Sequence, residues 1–216
     1  SNRLSSLLLS CINSLASFLR VFVSVDFSQR PFKITVSDKV YEGKSVIIAT
    51  GADTKWLGVP GEKEKIGRGV SSCAPCDAFF FRNKNVIVVG GGDSAMEEAL
   101  VLTKFATTVT VVHRKAEFRA SEIMQKRVKE HPKVKIIYNS EVTEVLGDAS
   151  VTGVKIKNNK TNEILELPID GIFVAIGHFP NTKAFKDIEL DEMGFVKVKD
   201  HFLTNKEGVF VAGDVH

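Results

Sequence analysis

Short β-branched runs separated by one strong helical stripe occupy the middle of this chain, and the alternation predicts a βαβ core. Residues 86–89, Val-Ile-Val-Val, form an unbroken apolar run of the kind buried on both faces of a parallel sheet. Over residues 94–104 Ala95, Ala99 and Leu102, with Met96 and Leu100, recur at helical spacing and give a stripe to lay on that sheet. The next strand is 109–112, and a right-handed crossover joins the two by default. A second helix spans about 121–130 and stops at His131-Pro132. Further strands are predicted at 134–138, 151–157, 164–167 and 171–176. Upstream, 32–36 and 46–49 read as strands, with turns at Ser37-Asp38 and Glu42-Gly43; near the C-terminus, 196–198 and 209–211 read as a strand pair.

Two strands end alike, in Thr50-Gly51-Ala52 and in Ala175-Ile176-Gly177. The first is followed by a connection punctuated by Gly58, Pro60 and Gly61, so the pair reads as an outward and a return crossing between two domains. In the first twenty residues Leu4, Leu7, Leu8, Cys11, Ile12, Leu15, Phe18 and Leu19 recur at helical spacing with serines opposite, which predicts an amphipathic helix docked on the domain. The same stretch, Ser-rich with Arg3 and Arg20 and no acid before Asp26, also has the composition of an organelle transit segment. It is too short and too broken by serine to span a bilayer.

Composition narrows the class. With 216 residues the chain can hold one large or two small cores, and 44% hydrophobic with 25% charged residues is ordinary for a globular protein. A net charge of +3 without any Lys/Arg block gives no reason to expect nucleic acid, and no membrane partner is expected. Three cysteines do not make a disulfide-stapled secreted scaffold; one catalytic pair plus a spare thiol at Cys11 fits a reducing, cytoplasmic compartment, with an organelle as the alternative.

Cys73-Ala74-Pro75-Cys76-Asp77 stands just upstream of the strand that runs into Gly90-Gly91-Gly92-Asp93-Ser94-Ala95. The latter fits G-x-G-x-x-[G/A], whose glycines permit a tight turn and close backbone approach so that a helix N-terminus can take up a pyrophosphate. A strand before it and a helix after it supply the context the motif needs; Ser94 to Glu97 also fits a capping box. Where an NAD-selective unit would place a carboxylate, this chain has His113-Arg114-Lys115 and then Arg119. Guanidinium groups there suit a 2′-phosphate, which favours NADPH; a solvated basic turn is the bland alternative. Two cysteines at this spacing can form a reversible short-loop disulfide, whereas zinc would require a second pair of ligands, so no metal is expected. Asp77 is a proton donor or acceptor for thiol exchange, or else a cap for the following turn. Phe79-Phe80-Phe81 reads as core or domain-interface packing.

These segments, with Gly208-Val-Phe-Val-Ala-Gly-Asp-Val215, resemble the low-molecular-weight NADPH-dependent thioredoxin reductases among the class II pyridine nucleotide-disulfide oxidoreductases, over about residues 25–216. The resemblance implies an α/β flavoprotein with a Rossmann-like NADPH-binding domain inserted in a Rossmann-like FAD domain. It implies the division 1–22 unmatched amphipathic segment, 23–55 and 179–216 FAD-domain fragments, and 56–178 NADPH domain with the redox pair. Electrons would pass from NADPH to FAD, to Cys73 and Cys76, and on to thioredoxin, with Asp77 as the acid. Arg114 and Arg119 would bind the 2′-phosphate beside His113 and Lys115; Asp214 would contact the flavin ribityl chain, with Gly51, Ile176, Gly177 and Gly213 as further cofactor-facing positions. A homodimer is implied for the complete protein.

The chain departs from that pattern in having no G-x-G-x-x-G unit before Gly90, in ending at His216, and in carrying Lys115 where a second arginine is common. The expectation is therefore a chain truncated in the FAD domain, with its NADPH half complete. Two other readings stay open: a related flavin-dependent disulfide reductase, and an NADPH-binding module without turnover.

Overall fold

The computed structural model describes residues 8–10 and 22–216, with side chains from Ser24 onward. Two compact units make up the chain: residues 1–53 with 178–216, and residues 54–177.

In the first unit, β1 (Leu8–Ser10) runs parallel to β5 (Val46–Ala49), with Leu9 opposite Ile48. Residues 8–10 are thus strand, not helix. An apolar run this short satisfies either period, and pairing with the open edge of β5 decides the matter. The rest of the stretch expected to be an amphipathic helix, including Cys11, lies outside the described residues. Strands β2 (Phe22–Asp26), β3 (Phe32–Val36) and β4 (Lys39–Gly43) form an antiparallel meander in which Phe32, Ile34 and Val36 alternate inward. Glu42 and Gly43 belong to β4 rather than to a turn, because they continue the ladder opposite Lys33 and Phe32. After β5 comes the short β6 (Ala52–Thr54).

The second unit carries the predicted core. It contains β7 (Val70–Ser71), α1 (Ala74–Asp77), β8 (Asn85–Gly90), α2 (Asp93–Leu102), β9 (Thr108–Val112), α3 (Glu122–Lys129) and β10 (Val134–Ile137). Three antiparallel strands follow, β11 (Ser140–Leu146), β12 (Gly153–Asn158) and β13 (Ile164–Pro168), and then β14 (Gly171–Ala175). The parallel sheet has the order β10-β9-β8-β14-β7. Its period of two sorts the apolar residues onto two faces. Val86, Val88, Val109, Val111 and Phe173 join Ala95, Met96, Ala99 and Leu102 of α2 in one core. Ile87, Val89, Val112, Ile172 and Val174 join Val142, Val145, Val154 and Ile156 of the antiparallel sheet in another. The result is helix, parallel sheet, antiparallel sheet in three layers.

The chain then returns to the first unit through β15 (His178–Pro180), beside β6, and β16 (Val209–Val211), parallel to β5 with Val211 opposite Ile48. Residues 196–198 are not a strand; Val196 makes one isolated bridge, to Leu190, because its N–H bonds the Val215 carbonyl and its side chain is used in the core with Val209 and Val215.

Candidate active site

The three glycines at the end of β8 perform different tasks. A Cβ on Gly90 would lie 2.4 Å from the Ala175 carbonyl oxygen and 2.7 Å from Ala95 Cβ, so its bareness lets β8, β14 and α2 close on one another. A Cβ on Gly91 would lie 2.2 Å from His113 Cε1. At Gly92, the residue preceding α2, a Cβ would meet nothing within 4 Å. The first two glycines serve packing, and the third faces open space at the helix N-terminus. This turn sits at the carboxyl end of β8, between β9 on one side and β14 on the other, where strand order reverses. Open α/β sheets bind ligands at such a switch point. The capping-box reading does not hold: Ser94 lies inside α2, Gly92 is the N-cap, and no side chain caps it.

Gly91→Ala is expected to destabilise the fold by about 1–3 kcal/mol, the range for overpacking, because the His113 ring must move. Gly92→Ala should stay within about 1 kcal/mol of the parent, the scale of a weakened N-cap, while losing nucleotide affinity. Thermal melts and nucleotide titrations on both variants would separate the two roles; equal melting losses would show that Gly92 also packs.

The loop after β9 folds back on the glycine turn. The N–H groups of Arg119 and Ala120 both donate to the Gly91 carbonyl, at 2.7 and 3.0 Å. The Asp93 carboxylate accepts from the Ser121 N–H at 3.0 Å and from its hydroxyl at 2.8 Å, and these bonds hold the carboxyl below its ordinary range. His113 is buried, with Nε2 2.9 Å from the Glu117 carbonyl and its ring 5.3 Å from that of Phe118. Burial, and then the nearby Arg119 and Arg114, lower its affinity for a proton. Arg114, Lys115 and Arg119 are exposed and form no ion pair with the described residues. The single carboxylate of residues 113–120, Glu117, lies near Tyr138, where its charge adds to burial in raising the phenol. Three unpaired cations beside an open helix N-terminus fit a ligand carrying a pyrophosphate and a further phosphate.

Upstream of the glycine turn, Cys73 and Cys76 are joined by a disulfide, with Cα atoms 5.3 Å apart. Cys73 is the extended residue before α1, whose Pro75 occupies a first-turn position that needs no N–H donor. Asp77 closes the same turn. Its carboxylate accepts from the Ser71 hydroxyl at 2.6 Å, and that hydroxyl accepts in turn from the Cys73 N–H at 3.1 Å. Asp77 therefore does not cap the following turn; its side chain is committed to Ser71. Ser71 was not singled out by sequence reading, although its place two residues before Cys73 is a local signal. Glu98 was also missed. This half-buried residue of α2 accepts the Ala74 N–H, a contact between elements that no spacing along the chain announces.

Phe81 is core, but Phe79 and Phe80 are exposed by 63% and 70%, so the triple does not pack inward as a unit. Beside them a cleft of about 390 Å³ is lined by Ser71, Asp77, Phe80, Arg68 and Lys84, among others.

The remaining candidate positions are placed separately. Ile176 is partly exposed, and Gly177, with φ +106°, accepts the Lys55 N–H at the end of β14. In the first unit Gly51 and Gly213 follow the adjacent parallel strands β5 and β16, both with left-handed φ (+66° and +76°) and with open space where a side chain would be. Asp214 is exposed next to Gly213. Two bare turns and a carboxylate at the ends of parallel strands suit the sugar-like chain of a flavin; the described residues of this unit supply no glycine-rich cradle for its pyrophosphate.

One unit thus holds both a parallel sheet with a fingerprint turn at its switch point and a two-cysteine disulfide. The family model for pyridine nucleotide-disulphide oxidoreductases matches residues 11–216, and the chain belongs to that family. Among its relatives, a thioredoxin reductase of Rickettsia prowazekii is 51% identical over 197 residues, and one of Streptomyces coelicolor is 47% identical over 196. These alignments cover 88% and 89% of this chain but 64% and 61% of the relatives, so the chain spans less than two thirds of their length. The structure of a Lactococcus lactis thioredoxin reductase superposes with a TM-score of 0.79 at 42% identity, covering 91% of this chain and 65% of that one. That of Giardia duodenalis gives 0.80 at 42%, covering 92% and 66%.

Proposed function

We propose that this chain is the NADPH-binding and dithiol-bearing part of a thioredoxin reductase, and that its cysteine pair delivers electrons from NADPH to the disulfide of thioredoxin. Residues 54–177 are its NADPH domain and the flanking unit belongs to its FAD domain. The observation that carries this reading is the placement, in one unit, of a disulfide with its own acid and a phosphate-ready turn fringed by unpaired cations. When bound, the nicotinamide supplies a hydride and the flavin converts it to the two electrons that thiol exchange requires.

The residues of the chain do the rest. The α2 N-terminus and Gly92 hold the pyrophosphate, and Arg114 and Arg119 grip the 2′-phosphate with charge-assisted bonds while Lys115 adds charge. His113, neutral at pH 7 because burial opposes its protonation, pins the turn rather than the ligand. Asp77 holds a proton for the leaving thiolate or takes one from the attacking thiol, with Ser71 fixing its position. Phe79 and Phe80, exposed just after the disulfide, offer an apolar face to a protein substrate. Asp214 would contact the flavin ribityl chain near Gly51 and Gly213. The complete protein is a homodimer that works in a reducing compartment, the cytoplasm. Oxidation of NADPH that depends on oxidised thioredoxin, by protein supplied with FAD, tests the reading; NADPH oxidation indifferent to thioredoxin would refute it.

A further inference from the structure

We propose that Glu98 is a positioning residue for the cysteine pair: its carboxylate holds the Ala74 N–H inside the Cys73–Cys76 loop, and its charge there favours the disulfide over the dithiol. The inference rests on the reading that this pair is redox-active, but on neither nucleotide nor thioredoxin.

Two peptide N–H groups, that of Cys73 and that of the next residue, lie beside the first sulfur. The Cys73 N–H donates to Ser71 Oγ, which itself donates to Asp77, and the Ala74 N–H donates to Glu98 Oε2. Both of these donors are already engaged by a group backed by a carboxylate. A thiolate formed on reduction would find both of these N–H groups taken, with two acids bonded to the same loop, and nearby like charge disfavours the ionised form.

Glu98 is also held where its charge is felt. It is half-buried on α2, and α1 packs against that helix. Burial first, and then the charges of Glu97 and Asp77, raise its proton affinity against the opposing pull of the Ala74 N–H. Among the other elements packed on α2, strands β8, β9 and β14 and the Ala78–Phe81 turn bring no charged side chain. On α3, Lys126 pairs with Glu130 and Lys129 with Gln125; its Glu122 and Arg127 form no ion pair among the described residues. Among the described residues Glu98 thus forms no ion pair, and Asp77, the acid that follows Cys76 in the chain, adds its charge.

The test equilibrates the chain with defined ratios of a reduced and an oxidised small dithiol at pH 8.5. In that exchange the reagent's two S–H groups become its cyclic disulfide, and the Cys73–Cys76 bond breaks to give two cysteine thiols, so protons and electrons balance. Alkylated Cys73 and Cys76 are quantified on their own peptide, which keeps Cys11 out of the count. Glu98→Gln retains an acceptor for Ala74 but no charge. It is expected to be reduced at a dithiol ratio about tenfold lower than the parent, or about 30 mV less negative for a two-electron couple. The pH midpoint of thiol alkylation in the reduced chain should fall by about one unit. Glu98→Asp, which keeps the charge, should stay within about twofold of the parent. A parent that titrates reversibly while Glu98→Gln titrates identically in both measurements would overturn this role alone. A parent whose disulfide does not titrate reversibly would overturn the redox reading and this role with it.

Discussion

Serine at Cys73 or at Cys76 is expected to bring NADPH-driven thioredoxin reduction down by about a thousandfold or more, the scale seen when a catalytic nucleophile is removed. The thiolate is the attacking species, and exchange passes through a mixed disulfide that the second thiol must resolve. With one sulfur gone, the other can join thioredoxin but cannot release it. The variant's structural cost is small by comparison. The bridge spans a sequence separation of 3, and loop-closure entropy gives about 2 kcal/mol for so short a loop. The glycine turn belongs to other elements, so NADPH affinity should not change. Turnover assays beside a nucleotide titration would check this. Residual turnover near the parent's in either serine variant would remove the pair from the electron path.

Arg114→Ala is expected to weaken NADPH by roughly 1.5–3 kcal/mol, the range for hydrogen bonds to charged groups, or about 10- to 150-fold in affinity. NADH should bind the variant almost as it binds the parent. The guanidinium is exposed, unpaired and on the loop tied to the glycine turn through Gly91, so its loss removes a ligand contact without opening a core. Paired titrations with the two nucleotides decide the point: equal losses would mean that Arg114 does not read the 2′-phosphate and that the basic loop is a solvated surface.

The parallel core was legible because its signals are local and redundant. Residues 86–89 and 109–112 are β-branched runs, and 94–104 carries a clear stripe; each appears within about two residues of its predicted place. The elements that went unseen have weak local patterns. Val70–Ser71 is two residues long and exists as a strand because β14 offers an edge. Ser140–Leu146 mixes Glu141 and Glu144 with valines and takes its register from β12, with a shift between Val142 and Glu144. Conversely, Val196–Val198 has a strand-like composition but no ladder partner beyond one bridge.

At the site the same rule applies. The cysteines, the glycines and the basic run are contiguous motifs, so the sequence displays them. The separate duties of Gly91 and Gly92 depend on what stands opposite, and that is His113, about twenty residues away in the chain. Ser71 and Glu98 act through hydrogen bonds to the backbone of the disulfide loop, and Glu98 reaches it from another helix. Phe79-Phe80-Phe81 reads as core or domain-interface packing by composition, and of the three only Phe81 turns toward Phe173 while Phe79 and Phe80 are exposed.

Thiol counting after NADPH tests the proposed electron path most directly. The chain alone, free of flavin, and the chain joined to the segments of the Rickettsia prowazekii relative that flank the aligned region and supplied with FAD, would each be incubated with NADPH and then alkylated. Free thiols at Cys73 and Cys76 should appear in the flavin-loaded protein, with NADPH far more effective than NADH. The flavin-free chain should keep its disulfide under NADPH and lose it only to a small dithiol. Thiols formed by NADPH without flavin, or none formed with it, would contradict the account.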